Sequence, residues 1–296
     1  MTLFGPEGAG PEETAQIEPA QVEPAQDAGP STRVRLTVAY DGTGFRGFAA
    51  QPGQVTVGGT LSEAIEKVVG HPVSLTCAGR TDAGVHAWGQ VVHADLTPPR
   101  RGLDLDALVR SCNAMLSPAI VLRAAQIAPE GFDARRSALS RVYRYLVLSS
   151  ATPDPFLAAT TWHVEHPLDL RAMEQATDPL LGEHDFSSFC RRAPDGGSLV
   201  RRVLEARWTR EERWPDREAG SRTQPDQGEL LRFEIEANAF CHQMVRSVVG
   251  TLVEVGRGRR RAGDLAWILR VADRAQAAAP APAHGLCLWA VLYPDY

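Results

Sequence analysis

The order of the predicted strands and helices limits the fold of this chain more than any other feature of its sequence. Strands are predicted where polar and apolar residues alternate, and helices where apolar residues recur every three or four positions. The first six elements are a strand at 33–40, a helix from the Thr60 capping box to Gly70, strands at 73–77 and 90–96, a helix at 104–115 and a strand at 120–127. This β-α-β-β-α-β order is that of a ferredoxin-like unit, in which two helices cover one face of a sheet.

The rest of the chain repeats this order loosely. Its predicted elements are a strand at 141–148, a helix at 168–181, paired strands at 203–209 and 230–236 joined by a long polar loop at 210–229, helices at 240–255 and 264–277, and a closing strand at 286–292. We therefore predict an α/β (α+β) fold of two ferredoxin-like β-α-β-β-α-β halves, residues 31–130 and 131–296, with their sheets joined around a central cleft. A cleft between two such halves is a common place for a functional site.

The first 30 residues differ in composition from the rest of the chain. They are rich in Pro, Ala, Gly and Gln and contain six acidic residues but no basic one, which predicts a disordered acidic tail. The net charge of −5 becomes +1 when those six acids are set aside, so the folded part is nearly neutral. Its basic residues are almost all arginine, with clusters at 135–136, 191–192, 201–202 and 259–261. Genome composition alone can produce this bias, but arginine forks also bind phosphate bidentately and stack on bases.

Several classes of protein are disfavoured by what the sequence lacks. No apolar run is long enough to cross a bilayer and no basic-then-apolar leader opens the chain, which predicts a cytoplasmic protein. The five cysteines are dispersed and include no CxxC pair, which predicts reduced thiols and argues against a structural zinc site. The histidines lack a helical ligand spacing, and no glycine-rich loop is followed by Lys-Ser or Lys-Thr, so neither a metal site nor a P-loop is predicted.

A short polar loop, Arg80–Gly84, stands between two predicted strands and combines one carboxylate with one guanidinium. Asp82 in this loop could be a turn residue that bonds its own backbone, as loop aspartates often do, or a catalytic carboxylate. Far along the chain, Arg246 opens a long apolar helix, where an unpaired cation is costly. Either the arginine stem lies along apolar surface with its head in water, or the head pairs with a buried carboxylate, for which Asp82 is a suitable partner.

A second segment, 132–145, interleaves arginines with aromatic residues. Such a pattern suits a nucleic-acid surface, because aromatic rings stack on bases while arginines contact phosphates. The alternative is an ordinary amphipathic strand with tyrosines on its core face, and for Tyr145 this is the interpretation that we favour. A sheet with one bare face is also a familiar RNA platform, although a fold does not determine a function.

Taken in order along residues 33–296, these motifs resemble the tRNA pseudouridine synthase A family. The most specific match is the run Gly79-Arg80-Thr81-Asp82-Ala83-Gly84-Val85-His86-Ala87. The other matching segments are Tyr40-Asp41-Gly42-Thr43, Phe132-Asp133-Ala134-Arg135, Tyr143-Arg144-Tyr145, Gly182-Glu183-His184-Asp185-Phe186, residues 238–250, Gly285-Leu286 and Tyr293-Pro294. The chain departs from the family pattern at Phe48 and Ala49, where Trp and Gln are usual, at Gly58, where Gln is frequent, and at Cys287. By resemblance, the first three departures lie in a region that faces RNA.

The resemblance implies an isomerase that converts uridine to pseudouridine at positions 38, 39 and 40 in the anticodon stem-loop of tRNA. It further implies a homodimer that needs no metal and no organic cofactor. Carried over motif by motif, the site residues are a nucleophile at Asp82, its ion-pair partner Arg246, Tyr143 stacked on the target base and Arg80 in the space left by the extruded nucleotide. Two other functions stay open. One is an RNA-binding or tRNA-folding module without catalysis, and the other is a carboxylate-dependent hydrolase, which the absence of a second committed acid disfavours.

Overall fold

The computed structural model describes residues 31–97, 102–191, 196–211 and 228–295. The acidic tail predicted for residues 1–30 lies outside these ranges, as does most of the loop predicted at 210–229. Within the described ranges the strands form one mixed sheet. No helix in those ranges is both long enough and apolar enough to cross a membrane.

The first half is a ferredoxin-like unit. Its elements are β1 (Thr32–Tyr40), α1 (Val57–Val69), β2 (Thr76–Cys77), β3 (His86–Leu96), α2 (Leu105–Leu116) and β4 (Ile120–Ile127). Strand β1 lies between β4 and β3 and is antiparallel to both, and the short β2 pairs with β3. The predicted order of elements is therefore confirmed for this half.

Helix α1 begins four residues before its predicted start. The predicted capping box placed Thr60 just before the helix, but the N-cap is Thr56, whose side chain accepts a hydrogen bond from the Gly59 N–H. Gly58 and Gly59 therefore lie in the first turn, although glycine disfavours helix interiors. The capping bond and the burial of Val57 offset that cost.

The second half repeats the arrangement with additions. Its elements are β5 (Ser140–Ser149), β6 (Trp162–Val164), α3 (Leu170–Thr177), β7 (Gly182–Asp185), β8 (Val200–Glu211), β9 (Glu229–Ala237), α4 (Met244–Gly256), α5 (Asp264–Val271) and β10 (Leu286–Leu292). The spatial order β10-β5-β9-β8 corresponds to β4-β1-β3-β2 of the first half, so the ferredoxin-like prediction is confirmed here as well. Strands β6 and β7 were not predicted, since three or four residues are too few to show an alternating pattern.

The two halves share a single sheet. Strand β10 pairs in parallel with β3, with Cys287 opposite His86 and Leu288 opposite Ala87. The predicted boundary near residue 130 falls between the end of β4 at Ile127 and the start of β5 at Ser140. Because β3 carries the end of the Asp82 loop, the join brings that loop beside the second half.

Helix α4 is buried along almost its whole length. Every residue in it is buried except Arg246 and Glu254, so its surface is apolar almost all round. Such a helix lies inside the protein, and a charged side chain in it must reach a partner or water. Arg246 is the third residue of the helix, and the group that its guanidinium contacts is described below.

One prediction about the cysteines is wrong. Cys190 and Cys241 form a disulfide, with their Cα atoms 5.8 Å apart and a sequence separation of 51, while Cys77, Cys112 and Cys287 are free thiols. Two cysteines so far apart along the chain give no sign of contact in a single sequence. The bond ties the turn after β7 to the segment that leads into α4.

Candidate active site

Asp82 lies in the loop between β2 and β3, and backbone hydrogen bonds hold this loop on both sides. The Phe48 N–H donates to the Thr81 carbonyl at 3.1 Å, and the Val85 N–H donates to the Asp82 carbonyl at 3.1 Å. The turn is thus closed by the backbone. Among the described residues, the Asp82 carboxylate makes no hydrogen bond to its own loop, so it is not the turn-forming aspartate of the alternative interpretation.

Two buried polar side chains support the loop from behind. The Tyr40 hydroxyl lies 2.7 Å from Thr81 Oγ1, and Gln90 Nε2 donates to the Gly79 carbonyl at 2.7 Å. Burial raises the pKa of Tyr40 well above its usual range, so the hydroxyl stays protonated. Sequence reasoning missed both residues as site supports, because each occupies an ordinary strand position.

The loop that follows β1 packs against the Asp82 loop at very close range. A Cβ atom at Gly42 would lie 2.1 Å from the Val85 carbonyl oxygen, so only glycine fits there. The Gly42 N–H donates to His86 Nδ1 at 3.0 Å, and His86 Nε2 lies 3.0 Å from the His284 carbonyl. His86 therefore accepts through one ring nitrogen and donates through the other, and it links three segments around the site.

Two side chains, one from the segment that leads into α4 and one from its first turn, face the Asp82 carboxylate. Arg246 Nη1 lies 3.6 Å from Oδ2, and His242 Nε2 lies 3.2 Å from Oδ1. The side chains of Asp82, Arg246 and His242 are 29%, 17% and 44% exposed, so the group lies at a half-open surface. The structure thus brings Asp82 and Arg246 together. His242 was not predicted as a site residue, because it precedes α4 and its position depends on the left-handed turn at Gln243.

Arg246 is itself held in place by the segment before β10. Its Nε donates to the Ala281 carbonyl at 2.7 Å, and the Ala281 N–H donates back to the Arg246 carbonyl at 2.9 Å. The guanidinium head therefore turns toward Asp82 instead of extending into solvent. This arrangement puts a fixed cation 3.6 Å from one oxygen of the Asp82 carboxylate.

Tyr143 forms an aromatic wall beside this group. Its ring packs edge-to-face on Phe240, with centroids 4.9 Å apart and planes at 81°. The residue is only 7% exposed, and burial, followed by the nearby Tyr40 and Asp82, raises its pKa well above the usual range. Tyr145, two residues on, is fully buried and donates to the Pro282 carbonyl at 2.8 Å, which confirms the core interpretation for that residue.

The arginines near the site have different roles. Arg80 is exposed and makes no hydrogen bond or ion pair with other residues of the described ranges. Arg141 is 8% exposed and donates to the carbonyls of Ala78, Arg135, Ala138 and Asn238. Arg144, on β5, pairs with Glu234 on the neighbouring strand β9. In segment 132–145, Arg141 and Arg144 are therefore committed to the protein itself, which favours the amphipathic-strand interpretation for these two.

Two of the three departures that the resemblance puts in a region facing RNA, Phe48 and Gly58, are buried. Phe48 is 3% exposed and packs in the core beside Tyr40, with ring centroids 6.1 Å apart. Gly58 is buried against it, since a Cβ there would lie 2.6 Å from the Phe48 carbonyl oxygen. A glutamine at position 58 would collide with that backbone, so Phe48 and Gly58 form one packing solution. Ala49 is half-buried.

Comparison with known proteins agrees with these motifs. Residues 176–294 match the family model described as tRNA pseudouridine synthase. The chain is 42% identical over 282 residues to the tRNA pseudouridine synthase A of Leifsonia xyli subsp. xyli, with 89% of this chain and 92% of that protein covered. It is 40% identical over 255 residues to the tRNA pseudouridine synthase A of Halalkalibacterium halodurans, with 86% and 90% covered.

A further relative and a solved structure complete the comparison. The tRNA pseudouridine synthase A of Frankia casuarinae is 43% identical over 264 residues, with 88% of this chain and 89% of that protein covered. The archaeal box H/ACA sRNP Nop10-Cbf5 complex contains a chain that is 13% identical, with a TM-score of 0.28 and coverage of 74% of this chain and 44% of that one. A likeness of that size carries no argument about fold or function.

Proposed function

This chain belongs to the tRNA pseudouridine synthase A family and is an isomerase acting on tRNA uridine, and we propose that it acts at positions 38, 39 and 40 of the anticodon stem-loop with Asp82 as its nucleophile. The observation that carries the proposal is the setting of one carboxylate. Asp82 projects from a braced loop toward a half-open surface, with Arg246 against one oxygen and Tyr143 nearby. Asp41, in the loop that packs against the Asp82 loop, has a different setting, because its Oδ1 accepts a hydrogen bond from the Thr43 N–H of its own turn and lies 3.1 Å from His86 Nδ1.

The reaction needs a nucleophile but no net supply of atoms. The N-glycosidic bond between uracil N1 and ribose C1′ breaks, the uracil turns, and a bond forms between C5 and C1′. C5 loses a proton and N1 gains one, so the product has the composition of the substrate. An ionised carboxylate can attack the sugar or the base and hold one fragment covalently while the other turns, which replaces one difficult step by easier ones.

Asp82 must stay negatively charged when bound RNA excludes water from the site. Removal of water penalises an unpaired carboxylate, whereas a fixed cation beside it favours the charged form. Arg246 has that position, and its bond to the Ala281 carbonyl keeps it there in the free protein. We therefore assign to Arg246 the role of counter-ion to the nucleophile in the closed site.

A uridine in a stem must leave the stack before it reaches Asp82. Extrusion costs a few kcal/mol, which contacts in the pocket and in the vacated space must offset. Tyr143, packed edge-to-face on Phe240 and close to Asp82, would stack on the extruded base, as the family resemblance implies. Arg80 is exposed at the start of the Asp82 loop and is free to occupy the vacated space. Contacts between further arginines and phosphates would make tRNA affinity fall steeply with salt.

We also propose, from the family resemblance, that the protein is a cytoplasmic homodimer that uses no metal and no organic cofactor. In this proposal each half, 31–130 and 131–296, contributes one side of every site. Light scattering of the purified protein during size-exclusion chromatography tests the dimer, because a monomer would give a mass near 32.1 kDa and a dimer twice that.

The decisive experiment compares the wild-type protein with D82N on unmodified tRNA transcripts. Pseudouridine is mapped by position, and tRNA affinity is measured by filter binding at fixed salt. We expect the wild type to modify positions 38–40 and D82N to lose at least 1,000-fold in rate, a loss typical of removing a covalent nucleophile, with tRNA affinity changed less than about three-fold.

Three outcomes would contradict the proposal in different ways. Retained turnover in D82N would remove Asp82 from the chemistry. Modification confined to other tRNA positions would reject the anticodon assignment while leaving the enzyme class intact. Tight tRNA binding by the wild type with no pseudouridine formed would favour the non-catalytic RNA-binding alternative.

A further inference from the structure

We propose that His242 is a positioning residue for the nucleophile, which fixes the plane of the Asp82 carboxylate by holding Oδ1 while Arg246 faces Oδ2. The inference rests on Asp82 being the nucleophile. It goes beyond that assignment because it gives a role to a residue outside the Asp82 loop, to which the family resemblance assigned none.

The first argument is the backbone next to His242. Gln243, the residue that follows it, has φ +65°, one of two non-glycine positive φ values in the part of the chain that the structure describes. A left-handed conformation at such a residue costs on the order of 1–3 kcal/mol and persists only where the surroundings enforce it. Here it turns the chain sharply just before α4, and His242 is the side chain that the turn directs toward the first half.

The second argument is that the two residues before His242 and the His242 backbone itself are anchored. Phe240 packs on Tyr143, and Cys241 is bonded to Cys190. The His242 carbonyl accepts a hydrogen bond from the Arg191 N–H at 3.0 Å. The backbone of this segment is therefore fixed independently of the imidazole, so the contact with Asp82 is a consequence of the fold and not a chance meeting of two mobile side chains.

The third argument is the geometry at the carboxylate. An aspartate carboxyl rotates easily about χ2, because that torsion has a broad energy profile. Contact at Oδ2 alone, 3.6 Å from Arg246, leaves this rotation free. A second contact at Oδ1, 3.2 Å from His242 Nε2, defines the plane. Nucleophilic attack requires aligned orbitals at about 3–3.5 Å, so loss of the plane lowers the rate without weakening RNA binding.

The test compares H242L with H242Q. Leucine removes the nitrogen that contacts Oδ1, whereas glutamine keeps an N–H donor at a similar reach. The rate of pseudouridine formation is measured in single turnover with enzyme in excess, and tRNA affinity is measured separately. We expect H242L to lose about ten-fold in rate, H242Q to stay within about three-fold of wild type, and both to bind tRNA within about two-fold of wild type.

His166 provides a matched control. It is an exposed histidine whose ring forms no hydrogen bond or ion pair within the described ranges, and H166L is expected to leave rate and affinity unchanged. Melting temperatures of all variants show whether they are folded, and H242Q keeps the test informative if H242L is unstable.

Two outcomes would overturn the inference. If H242L turns over at the wild-type rate, His242 has no part in the reaction. If H242L and H242Q lose the same amount, the loss comes from altered packing and not from the missing donor. If D82N is inactive, either of these results rejects only the positioning role of His242. If D82N is active, the assignment of Asp82 as nucleophile is rejected as well.

Discussion

Substitution of Gly42, forty residues away from Asp82 in sequence, tests how the candidate site is held. An added Cβ would lie 2.1 Å from the Val85 carbonyl oxygen and 2.5 Å from the carbonyl carbon, whereas ordinary contact begins at 3.4 Å. Because both clashing groups are backbone, one of the two loops must move by roughly 1 Å. Val85 closes the turn that carries Asp82, since its N–H donates to the Asp82 carbonyl. The displacement therefore passes directly to the proposed nucleophile.

The expected effect of G42A is a large loss of rate with a modest loss of stability. A displacement of about 1 Å at a reacting group can cost on the order of 100-fold in rate, equivalent to about 2.7 kcal/mol of activation free energy. Overpacking of this kind destabilises a fold by about 1–3 kcal/mol. Affinity for tRNA should change little, because Gly42 itself is buried and presents no side chain to RNA.

The assay is single-turnover pseudouridine formation, with urea unfolding to confirm that the variant is folded. The matched control is G79A. Gly79 is only three residues from Asp82, but a Cβ there would meet nothing within 4 Å, so the rate should stay within about two-fold of wild type. Wild-type activity in G42A, or an equal loss in G79A, would refute the reasoning, because the effect would then not follow from backbone contact.

Two further predictions concern the framework. Replacing both Cys190 and Cys241 by serine should lower the free energy of unfolding, measured by urea titration, by about 4 kcal/mol, because a cross-link with a sequence separation of 51 is lost. If the wild-type protein has the same urea midpoint with and without reductant, the disulfide is absent in solution. Replacing Arg141 by methionine should cost about 3 kcal/mol in the same titration, because buried carbonyls at Ala78 and Asn238 lose a charged donor; a loss under 1 kcal/mol would show that water replaces that donor.

The bounds of strands were predicted correctly where a proline, a glycine or a polar segment stands at the end of the strand. Strand β4 has its predicted bounds because alternation runs between Pro118 and the polar segment after Ile127, and β10 likewise begins directly after Gly285. The start of α1 was mistaken because the predicted cap, Thr60, lies one turn after Thr56, the N-cap that the structure shows. Local preference disfavours glycines in a first turn, but tertiary burial decided between the two caps.

The candidate site was predictable where an energetic cost was visible in the sequence. Arg246 within an apolar helix demanded a partner, and the structure has it 3.6 Å from Asp82. His242 carried no such cost, since it precedes the helix and is 44% exposed. Tyr40 and Gln90 were missed for another reason, because buried polar residues that find partners in a strand look like ordinary strand residues until the pairing is known.

The way in which the halves join explains why the site forms from distant segments. Strands β3 and β10 are parallel, so the segments that lead into them approach the same end of the sheet. The segment before β3 carries Asp82, and the segment before β10 contains Ala281, which holds Arg246 by two hydrogen bonds. An antiparallel join would put these segments at opposite ends of the strands. The proposed nucleophile and its cation therefore depend on the seam between the halves, and neither half by itself contains both.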